Sequence, residues 1–171
     1  MTEILVLGVG NTLLSDEGAG VHAMHYLQSR APSRGDIEYL DAGTLSFTLA
    51  DDIASAVNLI ILDAAQLNEK PGAVRVFEND QLDEFLRFGR RSVHEVGFAD
   101  LMDIARLQDC LPLNRALIGI QPGDLGWGEC PGVAVEAAFP LVADITEKLI
   151  RKWSMQNSPQ PVQNSELGWR E

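Results

Sequence analysis

Residues 4–21, ILVLGVGNTLLSDEGAGV, constrain the fold of this chain more than any other stretch. The segment opens as a short apolar run and breaks at Gly8-Val9-Gly10-Asn11. It then passes two adjacent acids, Asp16 and Glu17, before Gly18-Ala19-Gly20-Val21 leads into a helical pattern. A branched, apolar run this short, closed by turn residues, predicts a buried strand rather than a helix. Acids placed just past the carboxyl end of a central strand sit where open α/β sheets put their ligands.

The rest of the chain repeats this grammar. Ala19, Val21, Met24 and Leu27 recur at helical spacing and predict a first helix, stopped by Pro32. Residues 36–41 (DIEYLD) alternate and predict a second strand. Residues 45–56 contain a short amphipathic helix, and residues 58–63 (NLIILD) are the clearest buried strand in the chain. After a turn at Lys70-Pro71-Gly72, residues 73–77 (AVRVF) predict an antiparallel edge strand, because the connection is too short for a crossover. A helix over 80–88, a loop over 90–97, a helix over 98–107 and a strand over 115–121 follow. One long helix over 133–153 is expected to turn Leu141, Ile145, Leu149 and Ile150 inward. This alternation predicts a single-domain α/β fold. It is a three-layer α/β/α sandwich with a twisted, mainly parallel sheet and an antiparallel edge strand. Residues 1–153 make the domain, and the polar residues 154–171 read as a flexible tail.

Composition limits the partners. The chain has 171 residues and a net charge of −12. Nucleic acid is a poor partner for such a surface, which lacks the basic footprint that phosphates require. No apolar run is long enough to span a bilayer, so no membrane partner is expected. The N-terminus shows no basic region followed by an apolar core, so a cytoplasmic location is expected. Cys110 and Cys130 have neither disulfide-framework nor zinc spacing, and both are expected to be buried thiols in a reducing compartment.

Three strands end in ligand-capable groups: Asn11 with the following Asp16 and Glu17, then Asp41, then Asp63. Parallel pairing would bring these ends to one edge. His94 is expected in a loop directly before a helix. Glu17, Asp63 and His94 would form a mixed oxygen and nitrogen site suited to a borderline divalent ion such as nickel or zinc. Each also has a plain structural alternative. Glu17 or Asp63 could cap a helix, Asp41 could hold an Asx turn, and His94 could be a surface histidine. His22 and His25 share a helix face and compete as metal ligands. Gly8-Val9-Gly10 begins like a dinucleotide loop, but Leu13 stands where a third small residue belongs, and Asp16 and Glu17 would repel a pyrophosphate at the helix start. Nothing supports pairing Cys110 or Cys130 with His94 as a nucleophile, so an activated water is the more natural attacking group.

In order, GVGNTLLSDEGAGV, LDAGT, LIILDA and SVHEVGFADLM resemble the nickel-iron hydrogenase maturation endopeptidases. IGIQPGDLGWG and the last helix resemble the uptake-hydrogenase branch. The resemblance covers residues 3–153. It implies an endopeptidase that removes a C-terminal extension from the hydrogenase large-subunit precursor after nickel insertion. It matches Glu17, Asp63 and His94 to the family's metal-contacting positions, with nickel supplied by the substrate. It also implies Asp41, beside Ala42 where some relatives have Gly, as the family's turn acid. Asp41 or Asp16 is the candidate general base, and aspartic-type and metal-dependent mechanisms both stay open. The alternatives are a non-catalytic nickel-recognition chaperone of the large subunit and a Rossmann-like nucleotide-binding protein.

Overall fold

The computed structural model describes residues 2–30, 34–44, 47–88 and 93–156, without the side chains of Thr2 and of residues 93–96. Five strands are present: β1 (Thr2–Val9), β2 (Ile37–Gly43), β3 (Ala56–Ala64), β4 (Val74–Glu78) and β5 (Asn114–Ile120). They form one sheet in the order β2-β1-β3-β5-β4. Every pairing is parallel except β4 with β5. The antiparallel edge strand is as expected from its short connection, but its partner is β5, which inserts between β3 and β4.

The unbroken apolar runs of β1 and β3 follow from burial on both faces. Ile4, Val6, Ile60 and Leu62 pack against one side, with Met24 and Leu27 of α1 (Ala19–Arg30). On the same side they meet Val142, Leu149 and Trp153 of a C-terminal helix. Leu5, Leu7, Leu59 and Ile61 face the other way. There they meet Ile53 of α2 (Ala50–Ser55), Leu82 and Leu86 of α3 (Asp80–Phe88), and Phe98, Leu101 and Met102 of α4 (Val93–Leu107). These are the three layers.

Several local expectations are corrected. Helix α4 begins at Val93, so His94 belongs to its first turn instead of a preceding loop. The single long C-terminal helix is two, α5 (Val133–Glu136) and α6 (Phe139–Gln156). Pro140 explains the break, because it has no N–H for the Glu136 carbonyl and its ring would clash there. All four residues expected to face inward lie inside α6, where at about 100° per residue Leu141 is turned about 80° from Leu149 while Val142 lies within about 20° of it. Leu149 and Ile150 are buried as expected, while Leu141 is 52% exposed and Val142, Thr146 and Trp153 take the inner face. Cys110 and Cys130 are both exposed, because each sits in a connection at the surface and not in an element. Helix α6 runs through Gln156, past the expected start of the tail, and residues 157–171 lie outside the described residues. Among the described residues no helix is long and apolar enough to cross a membrane.

Candidate functional site

The carboxyl ends of β1, β2, β3 and β5 share one edge of the sheet. Connections leave β1 toward the α1 face and reach β3 from the α2 face, so the crevice between the neighbours β1 and β3 is a topological switch point. Glu17 follows β1 in a 3-10 turn over Ser15–Gly18, and Asp63 lies near the end of β3. Gly8 is in register with Leu62, which puts the end of β1 alongside Asp63. Two glycines close this corner. A Cβ at Gly20 would lie 2.0 Å from the Leu62 carbonyl oxygen and 2.4 Å from that of Val9, so α1 starts directly over the ends of both strands. Gly10 has φ +133°, and a Cβ there would lie 1.9 Å from the Glu17 carbonyl oxygen, so the loop folds back tightly onto Glu17.

Asp63 is 1% exposed and Glu17 is half-buried. A carboxylate this deep has lost most of its hydration, a state that favours a cationic or proton-bearing neighbour. Strand pairing thus brings Glu17 and Asp63 to the same crevice. The backbone of His94 opens α4, while its side chain lies outside the described residues. Among the described residues no group of three or more His, Cys, Asp or Glu side chains is arranged to hold a metal.

Asp41 is in register with Gly8 on the far side of β1, two strand spacings or roughly 10 Å from β3. It is exposed, and its Oδ1 accepts the Gly43 N–H at 2.9 Å. That is the turn-holding geometry weighed for it from sequence. Gly43 takes φ +50°, and Ala42 is not among the described non-glycine residues with positive φ, so alanine is accommodated there.

Asp16 turns into the loop 122–132. Ser15, which precedes it, adopts φ 44°, and the Ser15 N–H is held by the Gly128 carbonyl at 2.7 Å. The Asp16 carboxylate is 2% exposed. Its Oδ2 accepts the N–H groups of Gly123 at 2.8 Å and Asp124 at 2.9 Å, and its Oδ1 accepts that of Gly132 at 2.6 Å. Burial pushes its pKa up, but the donors at Asp124, Gly132 and Gly123 outweigh burial and hold it below the usual carboxylate value. An ionised carboxylate whose two oxygens already accept three N–H groups is a poor proton acceptor. The same loop is tied at its base by Gln121, whose Oε1 accepts the Leu67 N–H at 2.7 Å and whose Nε2 donates to Gln66 at 3.1 Å. Sequence reasoning missed both staples. No local signal points to them, since even a Cβ at Gly123 or Gly132 would stand 3.4 Å from an Asp16 oxygen, an ordinary contact.

His22 and His25 do not converge. His25 is exposed, whereas His22 is half-buried and its Nε2 is sealed from solvent with no hydrogen-bond partner among the described residues. Burial, then the charge of His25, lowers the pKa of His22, against opposing contributions from Asp41 and Glu136.

Residues 21–146 match the sequence model of the family described as hydrogenase maturation protease. The chain belongs to the hydrogenase maturation protease family. It is 31% identical over 159 residues to the hydrogenase expression/formation protein HupD of Rhizobium leguminosarum bv. viciae, covering 92% of this chain and 79% of that one. It is 37% identical over 123 residues to HupD of Thiocapsa roseopersicina, covering 72% of this chain and 56% of that one. Among solved structures, the Escherichia coli hydrogenase maturating endopeptidase HybD superposes with a TM-score of 0.83 at 30% identity. That superposition covers 88% of this chain and 93% of HybD. The family resemblance read from the motifs is therefore shown. For hydrogenase maturation proteases the reaction class is peptide hydrolysis, and the family acts on the hydrogenase large-subunit precursor.

Proposed function

We propose that this chain is the endopeptidase that removes the C-terminal extension of a nickel-iron hydrogenase large-subunit precursor after nickel insertion. In this reading Glu17, Asp63 and His94 contact the nickel, which belongs to the substrate. The observation that carries the reading is the crevice between β1 and β3, where strand register brings the Glu17 turn alongside a buried Asp63 in a chain of this family. The donor chemistry fits. Two carboxylates and an imidazole make a hard-to-borderline set that binds nickel without competing with softer ligands on the substrate. Such a set senses whether the precursor is loaded. Contact with the nickel places the scissile carbonyl, or the water that attacks it, beside a Lewis acid.

Asp16 belongs to the scaffold in this reading, because three backbone N–H groups engage both of its oxygens and it is held ionised. Asp41 is the remaining candidate general base. It is exposed at the same edge and uses Oδ1 for its turn. Cytoplasmic action follows from the same proposal, since the substrate is a precursor still undergoing maturation.

The test is reconstitution with apo and nickel-loaded precursor, read as loss of C-terminal mass. Cleavage is expected only with the loaded form. Glu17→Ala, Asp63→Ala and His94→Ala are each expected to lower the rate by about a hundredfold or more, the scale of one lost electrostatic contact at a reacting centre. Tight binding of loaded precursor without mass loss would instead identify a nickel-recognition chaperone. Equal cleavage of apo precursor would remove nickel from the mechanism.

A further inference from the structure

Beside Glu17 the molecule shows apolar side chains to solvent on a backbone that is firmly held. In the loop 122–132, Leu125 is 56% exposed and Trp127 is 86% exposed. Leu13, four residues before Glu17, is 51% exposed. The two loops run side by side. The Gly128 N–H donates to the Leu13 carbonyl at 3.0 Å, and Leu14 bridges Gly128 in parallel fashion. The Asp16 carboxylate pins both ends of the 122–132 loop, and Asp124 Oδ1 accepts the Gly126 N–H at 2.8 Å within it. Tryptophan is normally a well-buried residue. An exposed one on a pinned loop, with leucines beside it, is the signature of an interaction surface rather than of loop composition. Tryptophan is also among the side chains that anchor interfaces most strongly, and a pre-ordered loop avoids the entropy cost of ordering on contact.

The charges around the patch are of one sign. Asp124 and Glu129, next to Leu125 and two residues after Trp127, are exposed, and residues 121–147 contain no Lys or Arg. Residues 1–29 contain none either. A partner that covers the patch therefore needs an apolar hollow with a basic rim.

We infer that Leu13, Leu125 and Trp127 form the docking surface for the large-subunit precursor, seated in an apolar, basic-rimmed hollow of that protein. The inference rests on the proposed substrate and adds to it a recognition surface separate from the metal-contacting residues. Docking there brings the precursor's metal centre to the Glu17–Asp63 crevice, only a few residues along the same loop.

The experiment measures binding and cleavage of nickel-loaded precursor by the full chain and by Trp127→Ala, Leu125→Ser and Glu129→Lys. Phe88→Ala is the control, since Phe88 is 81% exposed but lies at the end of α3. All four side chains are exposed, so the variants are expected to keep the wild-type circular dichroism and melting temperature. Trp127→Ala is expected to raise Kd and KM by about tenfold or more, the range of an interface anchor, with kcat little changed. Leu125→Ser and Glu129→Lys are expected to act in the same direction by less, and Phe88→Ala to have no effect. A wild-type KM for Trp127→Ala, or a loss confined to kcat, overturns the inference. So does a Trp127→Ala effect on self-association of this chain in place of precursor binding. If the unaltered chain cleaves precursor and Trp127→Ala matches it, the docking surface alone fails. If the unaltered chain neither binds nor cleaves, the proposed substrate fails with it.

Discussion

Asp16 is nearly inaccessible to water and still ionised, because three backbone N–H groups replace its hydration. Asp16→Ala leaves those three donors unsatisfied and is expected to cost about 3 kcal/mol or more in a urea melt, on the scale of about 1–3 kcal/mol for each group left unpaired. Asp16→Asn keeps one acceptor and is expected to fall between. Since its folded pKa is lowered, the Asp16 contribution is present above the ordinary value of 3.8 and is lost as pH falls through the lower folded value. His22 acts in a higher window. Its pKa is also lowered, so the folded state disfavours its proton, and stability is expected to drop as pH falls below the ordinary 6.5. His22→Gln should flatten that part of the stability profile. This separates His22 from His94, whose protonation would remove a nickel contact in the proposed function. The cleavage rate of His22→Gln is expected to keep falling below about pH 6, near the unperturbed histidine value. A profile that stays flat in that variant would count against His94 as a ligand. At this scale the types of the key acids were readable in sequence, but the direction in which Asp16 points was not. Its partners lie 107, 108 and 116 residues away, and nothing local in the sequence points to them.

The elements on the α3–α4 side are tied to the sheet by one ionic knot. Arg115 of β5 is 8% exposed and donates from Nε and Nη2 to Asp83 of α3, at 3.2 and 2.6 Å. Arg106 of α4 reaches the same carboxylate at 3.3 Å and Asp103 at 2.6 Å. Removing one partner strands a buried charge. Arg115→Leu is therefore expected to cost about 3–5 kcal/mol, and Asp83→Leu added to it should restore part of the loss in a double-mutant cycle. Additive losses would mean that the two side chains are not coupled. Because α4 also carries His94, this knot fixes the helix on which one candidate ligand stands. Element types were largely legible from periodicity, whereas boundaries were not. The start of α4 was hidden by the Arg90-Arg91-Ser92 run that precedes it, and a proline inside an otherwise helical pattern split the last helix.

For the whole molecule, the two apolar cores and the sheet order explain why strand-end residues distant in sequence gather at one edge. The unbroken apolar runs of β1 and β3 already pointed to burial on both faces, so the layers could be anticipated. The insertion of β5 between β3 and β4 could not, since it depends on which edge the later strand finds. The net charge of −12 acts at this scale. Screening of like charges is expected to raise the melting temperature as salt rises from about 20 mM to about 300 mM, where the Debye length has shrunk to under about 10 Å. Precursor binding is expected to weaken over the same range, because its charges attract. Opposite responses in the two measurements would separate self-repulsion from docking.

The Asp16 clamp also has a consequence in time. The acid is made early, but its three donors belong to the last third of the chain, so the loop it closes is among the longest in the fold. Contacts that close long loops form late in folding. The Glu17 turn and the tryptophan loop therefore reach their final arrangement together, after β5 has joined the sheet. A partly made chain has the acids of the site but not the site itself. On this order the site is expected to be complete only after the segment through Gly132 has been made and folded.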